Sequence, residues 1–212
     1  MIAIVDYGSG NLCSIRNAFR KIGVKTIVSN KAMKIRKAEK VVLPGVGNFG
    51  SAMESIREKK LEKAIKEIAF SKPFLGICLG MQLLFEESEE APGVKGLGLV
   101  QGRIKKFSAG RKVPQMGWNI VKATKESGLF ANIPEKQRFF FANSFFAKPD
   151  EKTIIAGKSV YGEEFCTAIE KGTMWATQFH PEKSGENGLN VLKNFVEKGC
   201  GKNACEKGNS LP

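Results

Sequence analysis

Short β-branched runs alternate with helical stretches over the first third of the chain, and few folds accommodate that order. Residues 2–6 (Ile-Ala-Ile-Val-Asp) read as a buried strand, and Gly8 to Asn11 as a turn. A helix is predicted from Leu12 to Ile22, then a strand over Val24 to Ser29 and another over Val41 to Leu43, stopped by Pro44 and Gly45. Met53, Ile56, Leu61, Ile65 and Ile68 predict one amphipathic helix over 49–70. Phe74 to Ile77 is the next strand, with a helix beginning right after Cys78. This order predicts an α/β fold: a mostly parallel central sheet flanked by helices.

The character changes after about residue 90. Residues 91–102 are Gly-rich and loop-like, and β-prone runs follow at 103–107, 118–122, 138–147, 153–158, 164–169 and 174–179. They add a β-rich segment to the parallel core. A last helix is expected over 186–198. No repeat and no linker divides the chain, so a single domain over 1–198 is expected, with 199–212 as a flexible tail.

Composition removes several function classes. No apolar run approaches the roughly 18 residues of a membrane span, and the N-terminus reads as a strand rather than a secretion signal. The net charge of +13 invites a nucleic-acid partner. However, Lys59, Lys60, Lys63 and Lys66 are interspersed with Glu54, Glu58, Glu62 and Glu67, the pattern of a solvated helix face. An acidic protein surface or a phosphorylated metabolite fits better than nucleic acid. The five cysteines are widely spaced without a CxxC pair, and the chain has one histidine. That disfavours a zinc site and a disulfide framework, and suits free thiols in a reducing cytoplasm.

Gly76-Ile77-Cys78-Leu79-Gly80 sits where a buried strand meets a helix. Glycines flanking a nucleophile at such a turn allow a tight elbow and keep side chains away from it. The helix N-terminus would favour the thiolate and offer an N–H to an oxyanion. If Cys78 works with a histidine, that histidine is His180, just past an apolar strand that Pro181 ends. Glu182, two residues on, can accept from the far ring nitrogen and fix the tautomer. The glycines of Pro44-Gly45-Val46-Gly47-Asn48 let backbone N–H groups face a developing oxyanion. Gly8-Ser9-Gly10-Asn11 fails as a dinucleotide loop, because Cys13 stands at the third glycine position. Neither loop has the Lys-[Ser/Thr] of a phosphate-binding loop.

The elbow, the late His-Pro-Glu and the parallel sheet resemble the class I (triad) glutamine amidotransferases. Within that class, PGVGNFGSAM at 44–53, GICLGMQLLFEESEE at 76–90, MGWN at 116–119, QFHPEKS at 178–184 and DYGSGN at 6–11 resemble one family, the glutaminase subunit of imidazole glycerol phosphate synthase. The similarity covers residues 1–198.

The resemblance implies a flavodoxin-like core and a Cys78–His180–Glu182 triad that hydrolyses glutamine through a thioester, with no cofactor and no metal. It implies an oxyanion hole from Leu79 and the Gly45, Val46 and Gly47 loop. Gln82, Glu90, Ser144 and Phe145 would hold the substrate. Asn11, Trp118 and Lys183 would meet a separate (β/α)8-barrel cyclase subunit that receives the ammonia for histidine biosynthesis. Two positions depart from the family pattern: Asn143 and Gln115 stand where histidines are usual. Those departures keep open a paralogous glutaminase that feeds another synthase, such as one that aminates sugars. A non-enzymatic regulatory subunit is the third reading, and the intact triad opposes it.

Overall fold

A computed structural model describes residues 1–198 except Ser9, Ala109, Arg111, Lys125 and Glu126. The tail expected at 199–212, with Cys200 and Cys205, lies outside the described residues. In chain order the elements are β1 (Ile2–Val5), α1 (Leu12–Lys21), β2 (Thr26–Ser29), α2 (Ala32–Lys37), β3 (Lys40–Leu43), α3 (Phe49–Glu58), α4 (Glu62–Ser71) and β4 (Phe74–Ile77). Then come α5 (Leu79–Gln82), β5 (Phe85–Ser88), β6 (Val100–Lys106), β7 (Gln115–Ala123), β8 (Lys136–Asn143) and β9 (Phe145–Pro149). β10 (Ile155–Tyr161), β11 (Glu163–Lys171), β12 (Met174–Thr177) and α6 (Gly185–Lys198) complete the chain.

The strands form one sheet in the order β2-β1-β3-β4-β12-β11-β10-β7-β8, with β5, β6 and β9 branching from β11. The half from β2 to β12 is parallel. From β12 onward the neighbours run antiparallel. This is the mostly parallel core with an added β-rich segment that the alternation predicts.

Both faces of the parallel half are apolar because its strands are covered on both sides. Ala3, Val5, Val41 and Leu43 pack with α3 and α4 through Ala52, Met53, Ile56, Ile65 and Ile68. Ile2, Ile4, Val42 and Leu75 point the other way, against Ile15 and Phe19 of α1 and Leu192 and Phe195 of α6. The period of two along each strand divides one apolar run between two cores. Among the described residues no helix is long and apolar enough to cross a membrane.

Several expectations are corrected. The single helix over 49–70 is two, α3 and α4, broken where Lys60 takes φ 54°. The step from Ile56 to Leu61 is five residues, which on a continuous helix swings a side chain by about 140° off the stripe. The break instead lets Leu61 enter the core fully buried. The β-prone run at 138–147 is interrupted at Ser144, between β8 and β9. The helix after Cys78 is one turn, α5, and it leads into β5; α2 adds a helix between β2 and β3.

Candidate active site

Cys78 joins β4 to α5 with φ 53° and ψ −111°, a conformation that non-glycine residues rarely adopt. The surroundings enforce it. The Cys78 N–H donates to the Thr177 carbonyl at 2.7 Å, which ties the elbow to the end of β12. A Cβ on Gly80 would lie 1.9 Å from the Leu43 carbonyl oxygen, so only glycine lets α5 approach β3 this closely. Because α5 is a single turn, it lacks the aligned peptides that the helix-terminus argument for the thiolate requires.

β12 pairs with β4 in parallel, Thr177 opposite Ile77, so the two strands end side by side. Past β12 the chain turns through a short 3-10 segment, Pro181–Lys183, capped by His180. The His180 N–H donates to the Phe140 carbonyl at 2.9 Å. The Ser184 hydroxyl donates to the His180 carbonyl at 2.6 Å and accepts from the Phe140 N–H at 2.9 Å. These bonds present the ring to Cys78, with which it hydrogen-bonds, and place its Nδ1 2.8 Å from Glu182 Oε1. The ring is 2% exposed and the Glu182 side chain fully buried. Burial alone would push the imidazole below its ordinary value. The hydrogen bonds to Cys78 and Glu182 outweigh it, and its pKa is raised to about 10. At neutral pH the ring therefore carries the proton, ready for a leaving group.

Asn11 is not simply a turn residue. Its side-chain amide donates to Glu182 Oε1. It occupies the N-cap position of α1 yet makes no side-chain cap, and it sits at φ 72°.

A cavity of about 220 Å³ opens over the thiol. Val46, Gly47, Leu79, Gln82, Glu90, Ser144 and Phe145 all line it, together with Asn143 and Lys183. The structure thus brings the expected substrate-holding residues to one place. Glu90 accepts from the Phe49 N–H at 2.7 Å, at the start of α3. Gln82 donates to the Phe145 carbonyl at 3.0 Å.

The N–H of Leu79, expected at the oxyanion hole, donates to the Gly45 carbonyl at 3.3 Å in this structure. The two segments lie against each other: a Cβ on Gly45 would meet the Tyr7 hydroxyl at 2.4 Å and the Leu79 Cβ at 2.8 Å. Gly47, at φ 102°, has open space where a Cβ would be.

One site residue escaped the sequence. Gln178, completely buried, directs its Nε2 at the Cys78 sulfur at 3.8 Å and accepts from Gln82 Nε2 at 3.0 Å. The available signal was a polar residue between the apolar β12 and His180. Asn143 and Gln115, the two departures, are register partners across β8 and β7. Among the described residues no cluster of three or more His, Cys, Asp or Glu could hold a metal ion.

Met116, which also lines the cavity, projects with Trp118 and Ile120 from one face of β7, and Val160 of β10 is also exposed. Trp118 is 56% exposed, so it is not a core tryptophan. Lys183 lies over the Phe140 ring, 5.8 Å from its centre.

The family model for class-I glutamine amidotransferases matches residues 3–198. The chain belongs to that family. Among its relatives, the imidazole glycerol phosphate synthase subunit HisH of Methanocaldococcus jannaschii is 50% identical, over 93% of this chain and 99% of that one. The same-named subunit of Methanothermobacter thermautotrophicus is 51% identical, over 93% and 98%. Solved amidotransferases share the fold at low identity. A glutamine amidotransferase crystal structure superposes with a TM-score of 0.74 at 16% identity, covering 93% of this chain and 98% of that one. PurLQS from Thermotoga maritima gives 0.71 at 19%, covering 92% and 96%.

Proposed function

We propose that this amidotransferase, as one domain over residues 1–198, is the glutaminase subunit of an imidazole glycerol phosphate synthase. It hydrolyses glutamine and passes the ammonia to a cyclase subunit for histidine biosynthesis. The observation that carries the chemistry is His180, hydrogen-bonded at once to Cys78 and to buried Glu182.

Having given its proton to the His180 ring, the Cys78 sulfur attacks the side-chain carboxamide carbon of glutamine, and the carbonyl oxygen takes up the negative charge. The tetrahedral adduct collapses as His180 gives its proton to the departing nitrogen, leaving ammonia and a γ-glutamyl thioester. The ring, now neutral, takes a proton from water. The hydroxide attacks the thioester, and glutamate leaves as the sulfur departs. Glu182 holds the ring in the orientation both steps need. Gln82, Glu90, Gly47 and the backbone at Ser144 and Phe145 hold the substrate.

In the oxyanion role, the Leu79 N–H must first leave the Gly45 carbonyl to which it is bonded. Rotation of the peptides between Gly45 and Gly47 accomplishes this, and the open space at Gly47 permits it. The isolated chain is then a weak glutaminase that a docked partner activates. The exposed Met116–Trp118–Ile120 face beside the cavity mouth, with Lys183, suits a large apolar docking partner, which the proposal takes to be a (β/α)8-barrel cyclase. The free thiols Cys13, Cys78 and Cys166 accord with a cytoplasmic setting.

The test is glutamate release and imidazole glycerol phosphate formation with a cyclase subunit present. Glutamine should support the product as ammonium does, and the chain alone should turn over glutamine slowly. A cyclase that works with ammonium but never with glutamine plus this chain would reject the acceptor and favour another synthase, such as a sugar-aminating one.

A further inference from the structure

Gln178 lies in a chain of amides whose polarity is set at its far end. The Phe145 carbonyl has only lone pairs, so it must face N–H groups. It accepts from Gln82 Nε2 at 3.0 Å and from Asn143 Nδ2 at 2.9 Å. That fixes which end of the Gln82 amide carries the nitrogen. The same nitrogen lies 3.0 Å from Gln178 Oε1, and its second N–H needs an oxygen there. The Gln178 amide therefore has one admissible orientation, which turns its own NH2 toward the Cys78 sulfur at 3.8 Å. Rotating it by half a turn would set two NH2 groups against each other and aim an oxygen lone pair at the sulfur. Gln178 is 0% exposed and Gln82 5%, so bulk water does not compete for these bonds.

We propose that Gln178 holds the nucleophile: its side-chain N–H gives the Cys78 sulfur a second donor besides the His180 ring and favours negative charge there. This rests on Cys78 being the nucleophile. Two donors, the ring and the amide, then restrict the sulfur to the line of attack. They also stabilise it again when it departs from glutamate. The backbone oxygen of Phe145, on the wall of the glutamine cavity, decides the sign of the dipole that the sulfur meets.

The test uses Gln178→Met, which keeps the length of the side chain and removes both N–H groups. Alkylation of Cys78 by iodoacetamide in the full chain, followed on the Cys78 peptide by mass analysis, should slow by roughly tenfold. In complex with the cyclase, kcat for glutamine should fall by about the same factor while KM stays within about twofold. A folded variant alkylated at the parent rate overturns the proposal. Should the variant fail to fold, the parent protein still decides the question. The side-chain amide resonances of Gln178, in protein with 15N-labelled glutamine residues, should move when Cys78 is alkylated, and unchanged resonances overturn it. The alkylation and resonance readouts do not use glutamine turnover. A parent complex that hydrolyses no glutamine would instead reject the glutaminase reading on which this proposal rests.

Discussion

Asn11 and His180 share one oxygen atom: Oε1 of Glu182 accepts from the Asn11 amide and from the imidazole Nδ1. The residues come from opposite ends of the sequence, and the sharing explains why an asparagine at the start of α1 leaves that helix uncapped. An N-cap bond is given up for a bond to a buried carboxylate. Asn11→Ala should lower kcat of the complex by about tenfold, about 1.4 kcal/mol in the barrier, with KM for glutamine little changed. Glutamate release at saturating cyclase measures it. If cyclase binding weakens and kcat holds, Asn11 serves the interface alone.

Two buried cysteines make a clean comparison. Cys78→Ala should abolish glutaminase activity and leave cyclase binding intact. Cys166 is also buried, but no ring addresses it, and burial pushes its thiol up to about 12. Cys166→Ala should therefore keep activity within about twofold, because an inert buried thiol acts only as a small apolar side chain. A glutamine-like affinity label should be found on Cys78 and not on Cys166, which peptide mass analysis reads directly.

A single histidine in the chain makes the triad observable without mutation. In untagged protein, its imidazole NMR signals should stay in the protonated position through neutral pH and change near pH 10. Glu182→Gln removes the carboxylate charge that helps raise the value, and the midpoint should move down. The sign for stability follows. The folded value stands above the ordinary 6.5, so the folded state binds the proton more tightly. That stabilisation is complete below about pH 6.5 and is lost as the pH rises through the folded value. Thermal unfolding between pH 7 and 10 should show a steeper loss in the parent than in Glu182→Gln.

The parallel half of the sheet was legible because its strands are continuous apolar runs, and the elbow because its glycines bracket a nucleophile. His180 followed from being alone. What hid was whatever depends on contacts across the sheet. Gln178 was marked locally only as a polar residue after an apolar strand, since its partners Cys78 and Gln82 come from the elbow after β4 and from α5. Asn11 looked like a loop residue because its carboxylate partner is 171 residues away. The break at Lys60 was visible in principle, in the five-residue step that breaks the helical period. The engaged Leu79 N–H was not, because a peptide's orientation leaves no trace in side-chain identity.

Trp118 offers a test of the docking face. An exposed tryptophan flanked by Met116 and Ile120 is the composition of an interface centre. Trp118→Ala should weaken the complex by about 2 kcal/mol or more and leave the unfolding temperature of the isolated chain nearly unchanged. Titration calorimetry with the cyclase subunit and a thermal melt of the chain alone separate the two effects.

Pairing of β4 with β12 has a consequence in time. A hundred residues separate Cys78 from Gln178, and His180 follows Gln178 by two, so the sulfur leaves the ribosome long before the groups that would activate it. The strand that leads into them, β12, inserts between β4 and β11, so it completes the middle of the sheet rather than adding to an edge. A nascent or truncated chain can thus expose the cysteine without the ability to destroy glutamine. The geometry that glutamine hydrolysis requires is completed by the same event that closes the sheet.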